Sequence, residues 1–124
     1  MQIDYLKEGN EDCPLLRLSN GNHEDYVKLV KNISDLIENR RKSILVNDVE
    51  GIATQGLTLE FVLGKENLGI IEFDPKHFKC ILNNEKWHKV RALLQGFIEN
   101  SKNQYQWLDE TSNISLLVTD DGKW

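Results

Sequence analysis

The sequence predicts an α+β domain: antiparallel strands in the order ββαββββαββ, with two amphipathic helices laid on one face of the sheet. Three observations carry this. Leu57, Leu59, Phe61 and Leu63 alternate with Thr58, Glu60 and Val62, the period of a strand with one buried face. Two other stretches repeat apolar residues at helical spacing. Between the strand-like runs stand Gly51, Gly56, Gly64-Lys65-Glu66-Asn67 and Asp74-Pro75-Lys76, which supply turn chemistry.

Residues 2–7 and 13–18 form an opening hairpin around the turn Glu8-Gly9-Asn10-Glu11-Asp12. Pro14 lacks a backbone donor, which suits the start or edge of the second strand. Asn22 can cap free amides, Glu24 and Asp25 complement the positive end of a helix, and Tyr26, Leu29, Val30, Ile33, Leu36 and Ile37 define its apolar stripe. A helix over 23–40 follows, with Arg40, Arg41 and Lys42 at its negative end.

Short strands at Ile44–Val49, Leu68–Phe73 and Phe78–Leu82 join the 57–63 run in an antiparallel meander. A second helix starts near Asn83 or Asn84, and Trp87, Val90, Leu94, Phe97 and Ile98 line one side of it. Tyr105–Leu108 and Ile114–Thr119 close the sheet around Asp109-Glu110-Thr111-Ser112-Asn113. The helix from Tyr26 to Asn39 aligns without gaps on Trp87 to Asn100, with shared Ile-Glu-Asn endings; a degenerate strand-helix-strand duplication and common helix patterning explain the match equally well.

The chain has 124 residues, which suits one domain over 1–124. Scaling implies roughly 6,800 Å² of folded surface against roughly 21,000 Å² unfolded, so about two-thirds can be buried without metal or disulfide staples. No basic, then apolar, run opens the sequence, and no window approaches a bilayer span. The expected location is cytoplasmic. There Cys13 and Cys80 remain free thiols, and the acceptor patterns at Asn32 and Asn113 have no consequence.

The sequence lacks the common catalytic and metal-binding motifs. Neither a phosphate-binding glycine loop nor a nucleophile elbow is present, and the serines, Ser101 among them, have no histidine at a motif position. His77 and Cys80 mimic a zinc spacing, but residues three apart on a strand face opposite ways and no second pair follows. Asp120-Asp121-Gly122 lacks the flanking acids of a calcium loop and reads as a terminal turn. No catalytic residue, cofactor or metal is therefore assigned.

Charge is the informative feature. The formal net charge of −5 argues against a nucleic-acid or membrane-surface partner. Residues 76–91 carry five bases against Glu85, whereas residues 1–12 and 103–124 each carry net −3. If the two ends lie together, they form an acidic surface that steers a basic partner. The leading expectation is a non-catalytic protein-binding domain, of which an acidic inhibitor or immunity-type protein occluding a basic enzyme is the concrete form. Its contacts would be Asp109, Glu110, Asp120 and Asp121, with Trp107 or Trp124 as aromatic anchor. One alternative is a small-molecule or enzymatic pocket between helices and sheet using His23, His77 or His88; another is a self-associating homo-oligomer that buries a half-covered sheet.

Overall fold

These signals resolve into ten elements in the computed structural model, which describes residues 1–99 and 104–124. In chain order they are β1 (Gln2–Leu6), β2 (Leu15–Ser19), α1 (His23–Ile37), β3 (Ser43–Leu45), β4 (Thr58–Leu63), β5 (Gly69–Asp74), β6 (His77–Leu82), α2 (Asn84–Glu99), β7 (Tyr105–Asp109) and β8 (Ser115–Thr119). The class is α+β and the order is ββαββββαββ, as the sequence implies. Asn100 and Ser101 lie outside the described residues.

Asparagine starts both helices. The Asn22 side chain accepts a hydrogen bond from the Asp25 N–H at 2.9 Å, and the Asp25 carboxylate accepts one from the Asn22 N–H at 3.0 Å, a reciprocal capping box. Asn83 likewise accepts from the Lys86 N–H at 2.9 Å. Helix α1 stops at Ile37, short of the expected residue 40, because Asn39 turns left-handed at φ 58°. The Arg40 N–H then bonds back to the Asp35 carbonyl and the Asn39 N–H to that of Leu36. This is the Schellman arrangement, which satisfies carbonyls a helix end leaves open. Arg40 and Arg41 therefore lie beyond the helix, and Arg40 pairs with Asp35 and Glu38.

The strands form two mixed sheets, β1-β2-β8-β7 and β3-β4-β6-β5, in place of the single antiparallel sheet expected. The central pairs β2/β8 and β4/β6 are parallel, and the outer pairs are antiparallel. Burial explains why the meander is not followed. Strand β6 buries Phe78, Cys80 and Leu82, whereas Ile71 to Asp74 of β5 are all exposed. The hairpin therefore docks its more apolar strand against β4 and leaves β5 at the edge. The expected strand at Ile44–Val49 is cut short by a 3-10 turn at Val46–Asp48, where the Asn47 amide donates to the Leu57 carbonyl and accepts from the Leu59 N–H. One side chain thus replaces a rung of the ladder.

Each half of the chain has the order ββαββ, and each sheet takes the first hairpin of one half and the last hairpin of the other. The helices show the same correspondence. Their buried residues Tyr26, Leu29, Ile33 and Leu36 match Trp87, Val90, Leu94 and Phe97 at one constant offset of 61 positions.

Both helices pack together, and one row from each sheet joins them in a shared core. The sheets meet where Tyr5 lies 4.7 Å from Phe78, centroid to centroid. Phe61 meets Trp87 at 4.9 Å, and the Trp87 indole N–H donates to the Val62 carbonyl at 3.0 Å. The free edge of β1 is stitched to Ala53 by backbone bonds from Ile3 and to Met1. On the other side the Ser112 hydroxyl donates to the Ile70 carbonyl at 2.7 Å. No helix among the described residues is long and apolar enough to cross a membrane.

Candidate protein-binding surface

Segments 1–19 and 104–124, which build the sheet β1-β2-β8-β7, contain eight acids and three bases and so account for the whole net charge of −5. Residues 20–103 carry twelve of each sign. The two acidic ends of the chain are thus brought into one sheet.

Side-chain alternation fixes what that sheet shows. Ile3, Leu16, Leu18, Leu116 and Val118 enter the core, so the neighbouring residues point outward. The register aligns Trp107 with Leu117, Leu117 with Arg17, and Arg17 with Asp4 across all four strands. Tyr105, opposite Thr119, shares this face and is 49% exposed.

The residues after β8 return across it. Thr119 donates its hydroxyl hydrogen to the Lys123 carbonyl at 2.6 Å, and Arg17 donates to the Gly122 carbonyl at 3.0 Å. Arg17 also pairs with Asp4 at 3.1 Å and sits 5.9 Å from the Trp124 ring centroid, within range of a cation–π contact. The Trp124 indole N–H donates to Asp12 at 3.0 Å, joining the two ends of the chain directly. This cover explains why Leu15 and Leu117 are buried although they point away from the helices.

The six residues singled out by sequence occupy different positions around this face. Trp107 and Trp124 are half-buried in its surface, and Glu110 and Asp121 are exposed. Asp120 is half-buried, its N–H donating to the Gln104 carbonyl. Asp109 is only 2% exposed. It accepts from the Thr111 hydroxyl at 2.6 Å and the Thr111 N–H at 3.3 Å, and Lys86 lies 3.8 Å away. That makes it a support for the β7–β8 turn, beneath the surface that Glu110 presents. The hydrogen bond from the Lys123 N–H holds the Asp121 carboxyl below its usual range, so it is ionised at neutral pH. Sequence reasoning missed Asp4, Asp12 and Arg17; the acidic first turn was the available signal.

Two bases of the 76–91 stretch pair with acids elsewhere in the domain, and a third is held by a neutral hydroxyl. Lys79 pairs with Glu60 at 3.7 Å, Lys86 with Asp109, and Arg91 donates to the Ser34 hydroxyl at 3.2 Å. The histidines lie on separate elements. His23 lines a shallow groove with Glu24, Val27, Lys28 and Lys31, His77 stands outward on β6, and His88 lies beside Arg91 on α2. The space between helices and sheets is filled by Tyr26, Phe61, Phe78 and Trp87, each at most 1% exposed. Cys80 is buried, which pushes its thiol well up, and half-buried Cys13 is also free.

Comparison of the chain with protein-family models, curated proteins and solved structures finds no match.

Proposed function

We propose that this domain is a protein-binding module that presents the outer side of β1-β2-β8-β7, including residues 120–124 folded over it, to a basic partner and acts by covering it. The observation that supports the reading is the coincidence of charge and aromatics: the segments holding the whole net charge also place Trp107, Tyr105 and Trp124 on one face. Aromatic rings supply contact area with little rotamer entropy to lose, and the surrounding acids accelerate encounter with a cationic surface. Glu8, Glu11, Asp12, Glu110 and Asp121 are the exposed acids of these segments; Asp109 and Arg17 hold the scaffold beneath them. An inhibitor of immunity type, blocking a basic enzyme by steric and electrostatic occlusion, is the specific form proposed.

The test is association with the product of the neighbouring gene, measured by stopped flow at several salt concentrations. Reversing Glu110 and Asp121 to lysine is expected to slow association about tenfold at low salt and to flatten its salt dependence. Equal rates and equal salt slopes for the wild type and the variant would exclude this face as the binding surface.

A further inference from the structure

The second sheet, β3-β4-β6-β5, has an outer face that differs in kind from the acidic one. Its inner row, Leu59, Phe61, Phe78, Cys80 and Ile70, enters the core, so Glu60, Val62, Lys79, Ile81, Ile71 and Phe73 form the opposite row. None of these six is buried, and Phe73 is 52% exposed and Ile71 39%. Phe73 is held in place with Lys79 at 5.1 Å over its ring and His77 at 5.9 Å. In the topologically matching sheet, the equivalent face is covered by residues 120–124; after β4, by contrast, the chain runs directly through 64–68 to β5.

We infer that a second copy of this chain covers the face, in a two-fold homodimer packed sheet against sheet. Charge selects this occupant. Glu60 and Lys79 lie opposite one another on the two central strands, 3.7 Å apart. A two-fold axis running along the strands, midway between the two residues, sets Glu60 of each copy over Lys79 of the other, the self-complementarity that a symmetric interface requires. Residues 20–103, which contain this sheet, carry no net charge, so this part of the chain brings none to the contact. Pairing through the β5 edge instead would bring Glu72 and Asp74 of both copies together, with Pro75 next to them.

Size sets the strength. Four strands about 4.8 Å apart and up to six residues long cover roughly 19 by 20 Å, so two faces meeting bury on the order of 1,000 Å² in total. That is the lower end for a specific contact, the size class of weak and transient associations. The inference is independent of the acidic face and stands or falls without it.

Sedimentation from roughly 1 to 300 μM tests it, with circular dichroism confirming that each variant is folded. The wild type is expected to move from monomer toward twice the monomer mass. Glu60→Lys and Lys79→Glu each set like charges across the axis and should weaken association at least about tenfold, as should Phe73→Glu. An equimolar mixture of Glu60→Lys with Lys79→Glu should restore it, because each then faces its complement. A wild type that stays monomeric throughout, single variants that associate like the wild type, or a mixture that stays monomeric would overturn the proposal.

Discussion

Replacing Asp109 with alanine separates a scaffold acid from a contact acid. The carboxylate accepts two hydrogen bonds from Thr111 and faces Lys86, while its own side chain has no accessible surface. Hydrogen bonds to a charged group contribute about 1.5–3 kcal/mol, and removing one partner of a fully buried pair costs about 3–5 kcal/mol. Lys86 keeps 29% of its side chain exposed and can turn to water, so the full orphan-charge penalty does not arise. The Thr111 hydroxyl must find another acceptor. The expected loss is about 2–3 kcal/mol, with Asp109→Asn losing about half of that because its amide oxygen keeps one acceptor in place. Urea unfolding followed by tryptophan fluorescence gives the value, and Glu110→Ala is the control, expected within about 0.5 kcal/mol of wild type. An Asp109→Ala midpoint as close to wild type as that of Glu110→Ala would refute the assignment.

Three further outcomes follow from the same structure. Burial opposes charge on Asp25, but hydrogen bonds from the Met1 ammonium and the Asn22 N–H outweigh it and hold the carboxyl below its usual 3.8. Its stabilisation is therefore complete above about pH 5 and lost as pH falls through the lowered value, so the advantage of wild type over Asp25→Asn in urea should shrink between pH 6 and about pH 2. A gap that stays constant across that range would contradict the linkage. Gly69 has φ +77°, and a Cβ there would lie 2.7 Å from the Ser112 backbone nitrogen, so Gly69→Ala should lower stability by at least about 1 kcal/mol in the same assay. Trp124→Ala removes the ring over Arg17 and the bond to Asp12 and should cost about 1–2 kcal/mol. Increased hydrogen exchange at β2 and β8, with α1 and α2 unchanged, would locate that loss.

The sequence was most legible where a local pattern decides the structure. Tyr26, Leu29, Ile33 and Leu36 repeat at the helical period, and their burial follows from geometry alone. The left-handed Asn39 sets the end of α1, whereas the sequence pattern runs on because the basic residues that follow resemble a helix end. Strand pairing was harder to read. Nothing local says that β4 pairs parallel with β6 across an intervening strand, or that β2 meets β8 from the far end of the chain. Both choices depend on competition for core positions among all the strands. The acidic ends were visible as composition, but the acids looked equivalent. Only their surroundings separate Asp109, held beneath the turn by Thr111 and Lys86, from the exposed Glu110 beside it.

The claim that the acidic, aromatic face is where a cationic partner lands is tested most directly by nuclear magnetic resonance. A short lysine- and arginine-rich peptide would be titrated into the isotope-labelled protein at low salt. The three indole N–H groups serve as reporters, since Trp87 is buried against Val62 while Trp107 and Trp124 lie on the outer face. Shifts concentrated at the Trp107 and Trp124 indoles, Tyr105, Glu110 and Asp121, abolished by added salt, are the expected result. Shifts spread evenly over the domain, or centred on β5 and β6 with the two outer indoles unmoved, would contradict it.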